Sequence, residues 1–98
     1  MIRHIVTWRL AADDAEQRAA DAAGIKQRLE GLRGVVAAER IDVGVDLGAT
    51  AGNWHVVLDS DFATEADLAA YQVHPAHQEA AGFVRSVAAE RSCVDYQI

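Results

Sequence analysis

Apolar and polar residues alternate along four stretches of the chain, and two intervening stretches repeat at three- and four-residue spacing. Residues 2–10, IRHIVTWRL, place Ile2, His4, Val6, Trp8 and Leu10 on one side and Arg3, Ile5, Thr7 and Arg9 on the other. That period of two predicts a strand. Asp13 and Glu16 have the spacing of a capping-box variant ahead of a helix. Its stripe is Ala15, Ala19, Ala22, Ile25, Leu29 and Leu32, ending near Gly34. Val35–Val43 reads as a second strand, interrupted by Glu39, Arg40 and Asp42. Residues 44–53, GVDLGATAGN, are glycine-rich without a period and predict a loop. Trp54–Phe62 is a third strand with Trp54, Val56, Leu58 and Phe62 on one face. Thr64 caps a short helix carrying Leu68 and Tyr71, with Asp67 at its third position. Pro75 suits the first turn of a new helix running to about Ala89, and residues 91–98 form a fourth strand.

The resulting order, β-α-β-β-α-β with the second helical region broken at Pro75, predicts an α+β, ferredoxin-like fold. Its four-stranded antiparallel sheet would carry helices on one face. The 98 residues make one domain, and alanine supplies much of the 51% apolar fraction. The core of so short a chain is thin. The sheet's uncovered face therefore needs a cover, and a second copy packed sheet to sheet would form a dimeric α/β barrel.

Composition narrows the partners. Fifteen acidic residues against nine basic ones give a net charge of -6, with a single lysine, Lys26. That is a poor basis for nucleic acid or an anionic membrane surface. No stretch approaches the roughly 20 apolar residues of a membrane span, and no export signal is recognisable. With one cysteine, Cys93, an internal disulfide is excluded and a reduced cytoplasm is the expected location.

The densest chemistry is Tyr71-Gln72-Val73-His74-Pro75-Ala76-His77, two imidazoles and a phenol within seven residues. If Pro75 opens a helix, His77 sits in its first turn, on the stripe that faces the sheet. An inward imidazole can exchange a proton near neutral pH. Tyr71 on the preceding turn can donate a hydrogen bond to a carbonyl or enolate oxygen. His4 joins them from the first strand, with His74, Val6 and Trp8 as the expected substrate contacts. The structural alternative treats the histidines as helix caps and the tyrosine as core. A metal reading of His74 and His77, with His4 or Asp59 added, lacks three or four convergent ligands, so neither metal nor organic cofactor is expected. His55 has no apparent partner, and Cys93 reads as an inert buried thiol.

The opening IRHIV, the block EADLAAYQVHPAHQE and the closing VDY together resemble the stress-responsive dimeric α/β-barrel (Dabb) family. The resemblance covers nearly the whole chain, and Y-x-x-H-P-A-H is its most specific part. It implies the ferredoxin-like fold with two protomers joined through their sheets. The family includes the plant olivetolic acid cyclase type of polyketide cyclase, which performs an intramolecular aldol condensation without metal or organic cofactor. By that resemblance His77 is the general base, Tyr71 holds the polarised oxygen, and His4 and His74 match the remaining histidines. The cyclase lines its pocket with bulky aromatics, whereas these helices carry Ala19, Ala22, Ala23, Ala80 and Ala88. Either the cavity is wider, or the helices settle closer to the sheet.

The leading expectation is thus a small homodimeric barrel that binds a small carbonyl-bearing molecule for cofactor-free acid–base chemistry. A non-catalytic stress-response or ligand-binding protein is the alternative. A cofactor-free monooxygenase, using Trp8, Trp54 and His55, is a third.

Overall fold

The computed structural model describes residues 1–98 throughout. Strand β1 spans Ile2–Leu10, helix α1 Ala15–Glu30, β2 Arg40–Val45 and β3 Val56–Phe62. Helices α2, Glu65–Val73, and α3, Pro75–Val87, then lead into β4, Ala88–Gln97. The sheet order is β2-β3-β1-β4, and every neighbouring pair is antiparallel. This is the ferredoxin-like architecture.

Alternation along β1 decides which side faces the helices. His4, Val6, Trp8 and Leu10 are buried, whereas their neighbours in the strand remain partly accessible. Val56, Leu58, Ser60 and Phe62 of β3, with Ile41 and Val43 of β2, complete the inward layer. Ala22, Ile25 and Leu29 of α1 and Ala80 and Val84 of α3 pack on it. The small residues let the helices approach closely. A methyl group built on Gly24 of α1 would lie 2.8 Å from the Phe83 ring of α3. Arg28 stacks its guanidinium 3.7 Å from the centre of the same ring.

Several boundaries depart from the sequence expectation. The cap of α1 is Asp14, not Asp13, with its carboxylate accepting from the Gln17 amide at 2.9 Å. Val35 and Val36 do not belong to β2. Their amides donate to the Leu32 carbonyl, and Val36 is buried together with Leu29 and Leu32. These apolar positions continue the helical stripe through a turn, which Gly34 completes at φ +77°. Gly44 and Val45, expected in the loop, pair with Val57 and Val56. Trp54 and His55 precede β3, and β4 begins at Ala88 rather than residue 91. His55 does have a partner: its Nδ1 accepts the Leu10 amide at 2.9 Å, and its own amide donates to Trp8 O.

The opposite face of the sheet carries an ionic cluster at one end. Asp61, 6% exposed, accepts from Arg3 Nε at 2.8 Å and from Arg40 Nε at 3.0 Å. These two guanidiniums hold its carboxyl at about 2, below the ordinary 3.8. The unfolded chain binds this proton more readily. The stabilisation is therefore complete above about pH 4 and is lost as pH falls toward 2. Chemical denaturation across that range should show a shallower acid limb in Asp61→Asn than in the parent. Superimposable acid limbs would show that Asp61 carries none of the dependence.

Candidate functional site

Residue 74 decides the local geometry. A residue before proline is driven out of the helical region, and His74 has φ -63° and ψ 134°. Helix α2 therefore stops at Val73, and α3 restarts at Pro75, whose missing amide proton costs nothing in a first turn. The Nδ1 of His74 accepts the Ala76 amide at 3.0 Å, which makes His74 the N-cap of α3. The expected substrate-contact role for His74 does not fit this arrangement, because the side chain is committed to the cap and does not line the cavity described next.

A cavity of about 250 Å³ lies between the helices and the sheet. His4, Tyr71 and His77 line it, with Val6, Trp8, Leu29, Leu58, Ala81 and Val84 forming its apolar wall and Arg85 and Arg91 its remaining lining. The helices have closed on one another at Gly24 and Phe83 and still leave this space. Tyr71 sits between the two imidazoles, its ring centre 4.2 Å from that of His77 and 6.1 Å from that of His4. Phe62 supports the tyrosine from behind at 4.9 Å.

Both imidazoles are fixed in the same sense. His77 Nδ1 lies 3.1 Å from the Gln72 carbonyl, which can only accept, so Nδ1 donates. His4 Nδ1 contacts Asp95 Oδ1 on the neighbouring strand, and an ionised carboxylate likewise only accepts. In the neutral His77 ring the lone pair is then on Nε2. Burial lowers the proton affinity of His77, and the positive charges of Arg85 and Arg91 add to that effect. The ring is neutral at pH 7 and able to accept a proton.

Tyr71 has the opposite character. Its side chain is 1% exposed, and its hydroxyl has no protein hydrogen-bond partner. Burial pushes its pKa up to about 12, so it remains a donor. A buried hydroxyl without a partner costs about 1–3 kcal/mol. At a cavity wall it is a donor already desolvated and waiting for an acceptor.

Three residues of this region were not singled out from the sequence. Asp95 pairs with His4, and Arg85 and Arg91 border the cavity. Strand β4 points Arg91, Cys93 and Asp95 inward, opposite Trp8, Val6 and His4. The side chains able to share a metal ion are His4, Cys93 and Asp95, whose donor atoms lie within 4.8 Å of one another, rather than His74 and His77. Burial raises the Cys93 pKa, and its Sγ lies 3.5 Å from Asp95 Oδ1, as a thiol donating to the carboxylate. The trio as it stands is a hydrogen-bonded group. Trp54 and His55 line a separate surface depression with Thr7 and Val57, whereas the Trp8 side chain lines the cavity, although the His55 amide bonds the Trp8 carbonyl.

Two measurements check this geometry. In an NMR titration His77 should protonate below the ordinary 6.5, and the sign for stability follows. The unfolded chain takes up this proton first, so His77 reduces stability as pH falls below about 6.5. A midpoint at or above 6.5 would contradict the buried placement. Tyr71→Phe removes only the unpaired hydroxyl and should leave unfolding stability unchanged or raise it by about 1 kcal/mol. A comparable loss would show that the hydroxyl is already bonded.

Comparison with known proteins agrees with this architecture. A dimeric ferredoxin-like protein of unknown function from Bacteroides fragilis is 27% identical, with a TM-score of 0.90 over 99% of this chain and 95% of its own. A second, from Thermobifida fusca, is 26% identical, with a TM-score of 0.83 over 99% and 90%. A hydroxynitrile lyase from Passiflora edulis shares the fold at 20% identity, with a TM-score of 0.78 over 99% and 92%. No curated protein matches the chain. The model of the stress-responsive A/B barrel domain matches residues 2–98, and the chain belongs to that family, Dabb.

Proposed function

We propose that this protein binds a small carbonyl-bearing molecule in the cavity between helices and sheet and performs cofactor-free acid–base chemistry on it, of the polyketide cyclase or aldol type. The observation that carries this reading is Tyr71, which lines the cavity with its ring beside His77 and whose buried hydroxyl has no protein acceptor. A carbonyl oxygen would supply that acceptor. His77 Nε2 would then remove a proton from the adjacent carbon, and the C–H electron pair would move onto the oxygen as an enolate. The Tyr71 hydrogen bond strengthens as that negative charge develops. In an aldol step the enolate carbon attacks a second carbonyl, and the new alkoxide recovers the proton from the His77 imidazolium. His4, held by Asp95, is a second polar group at the same wall. Val6 and Trp8 would contact the apolar part of the substrate.

The protein would act as a homodimer through the open face of its sheet. Val94 and Tyr96 of β4 stand out from that face, 58% and 45% exposed, next to Ile5 and Arg3. The relatives from Bacteroides fragilis and Thermobifida fusca are described as dimeric. No helix is long and apolar enough to cross a membrane. The one cysteine is a free thiol, in keeping with a reducing cytoplasm.

A specific observation favours a second, non-catalytic reading. His74 and Pro75 are accounted for as a helix start, so half of the H-P-A-H motif has a structural role. Exchange of α-protons for deuterium in small ketones, followed by NMR, separates the two without knowledge of the natural substrate. His77→Ala should reduce protein-catalysed exchange by at least about 100-fold, and Tyr71→Phe by a comparable factor. Fold and dimer should persist in both. Exchange that is absent in the parent, or equal in parent and variants, would favour the binding protein.

A further inference from the structure

The cavity's unoccupied charges point to the class of ligand. The chain carries nine basic residues against fifteen acidic ones. Seven of the nine are engaged. Arg3 and Arg40 meet Asp61, Arg9 meets Glu90, Lys26 meets Glu30 and Arg33 meets Asp42. Arg18 donates to the Asp13 carbonyl and Arg28 to that of Gly24. Arg85 and Arg91 are the two left without a carboxylate or carbonyl partner, and both border the same cavity. They approach it from different layers, Arg85 from the last turn of α3 and Arg91 from β4 opposite Trp8. No acidic side chain is among the cavity's lining. In a protein of net charge -6, that is a local reversal of sign beside a low-dielectric wall.

Helix-end electrostatics account for part of Arg85, since a cation is favoured in a last turn. They do not account for Arg91, which lies in a strand. Nor do they explain why the two guanidiniums without an acidic partner, of which Arg91 meets only the Cys93 thiol, border one opening. We infer that the natural ligand is a small organic carboxylate, an oxo acid whose carboxylate is held by Arg85 and Arg91 while its carbonyl reaches Tyr71. Guanidinium presents a planar fork of donors that matches a carboxylate. About 250 Å³ lies below the usual range of drug-sized pockets and suits a compact molecule. The mostly apolar wall leaves room for one charged end. This inference rests on the reading of the cavity as the ligand site and adds the charge of what enters it.

The test uses a panel of small oxo carboxylates, such as 4-oxopentanoate, each paired with its uncharged amide. Binding is followed by NMR through the ring protons of His4 and His77. The parent should bind carboxylates at least about ten-fold more tightly than the amides, and added salt should weaken the carboxylates alone. In Arg85→Gln/Arg91→Gln the preference should fall to near unity with amide affinity unchanged. Both side chains are exposed, and an unchanged unfolding curve verifies the fold. Equal binding of acid and amide by the parent, no binding of any carboxylate, or a preference that survives the double substitution would each overturn the inference. Deuterium exchange on the same pairs distinguishes the two proposals. Arginine-dependent carboxylate binding without exchange removes the catalytic reading and keeps this one. Equal binding and exchange on acid and amide does the reverse.

Discussion

The peptide between His74 and Pro75 is the constraint on which the site depends. Proline disfavours the helical region for its predecessor, and the run from Glu65 to Val87 is split into two helices at His74. The chain breaks, turns and restarts within one residue. Tyr71 is left in the last turn of one helix and His77 in the first turn of the next, with their rings 4.2 Å apart. The Gln72 carbonyl, released from helical bonding at this break, is free to fix the His77 ring. A straight helix would have placed residues 71 and 77 more than one turn apart, without that carbonyl between them.

Small residues answer the question that the alanine-rich helices raise. Helices α1 and α3 approach until Gly24 meets Phe83, yet the space against β1 and β3 stays open. The contact lies between the helices, whereas the cavity lies below them, under Leu29, Ala81 and Val84. Close packing of one pair of faces therefore coexists with room beside another. The wall this leaves is mostly apolar, which desolvates Tyr71 and His77 and moves their proton affinities in opposite directions. One stays a donor and the other becomes a ready acceptor, through a single physical cause.

Much of this was legible in the sequence. The strict alternation of β1 identified the inward position of His4, and Pro75 identified the restart of the helix. What was not legible has physical reasons. Val35 and Val36 resemble a strand beginning, but Val36 is buried with Leu29 and Leu32 and continues the stripe of α1. Asp14 rather than Asp13 caps that helix, a shift of one residue between adjacent like side chains. Strand β4 reverses the usual rule, since its outward side bears Val94 and Tyr96 and its inward side Arg91, Cys93 and Asp95. Apolar residues signal burial without saying whether the chain itself or another surface provides it. The partner of His4 and one of the two cavity arginines were hidden by that inversion. Arg85 was hidden differently, because a basic residue in a last turn is ordinary on any helix.

The proposed chemistry turns on the Tyr71 hydroxyl, which is buried without a protein partner, and any acceptor it takes is directly observable. A high-resolution crystal structure with a carbonyl-bearing ligand bound would locate it. If the cavity works as described, the ligand's carbonyl oxygen lies within roughly 2.5–3.0 Å of Tyr71 Oη, with His77 Nε2 facing the adjacent carbon. A ligand seated elsewhere on the molecule, with Tyr71 bonded instead to backbone or to a water that the ligand leaves in place, would contradict it.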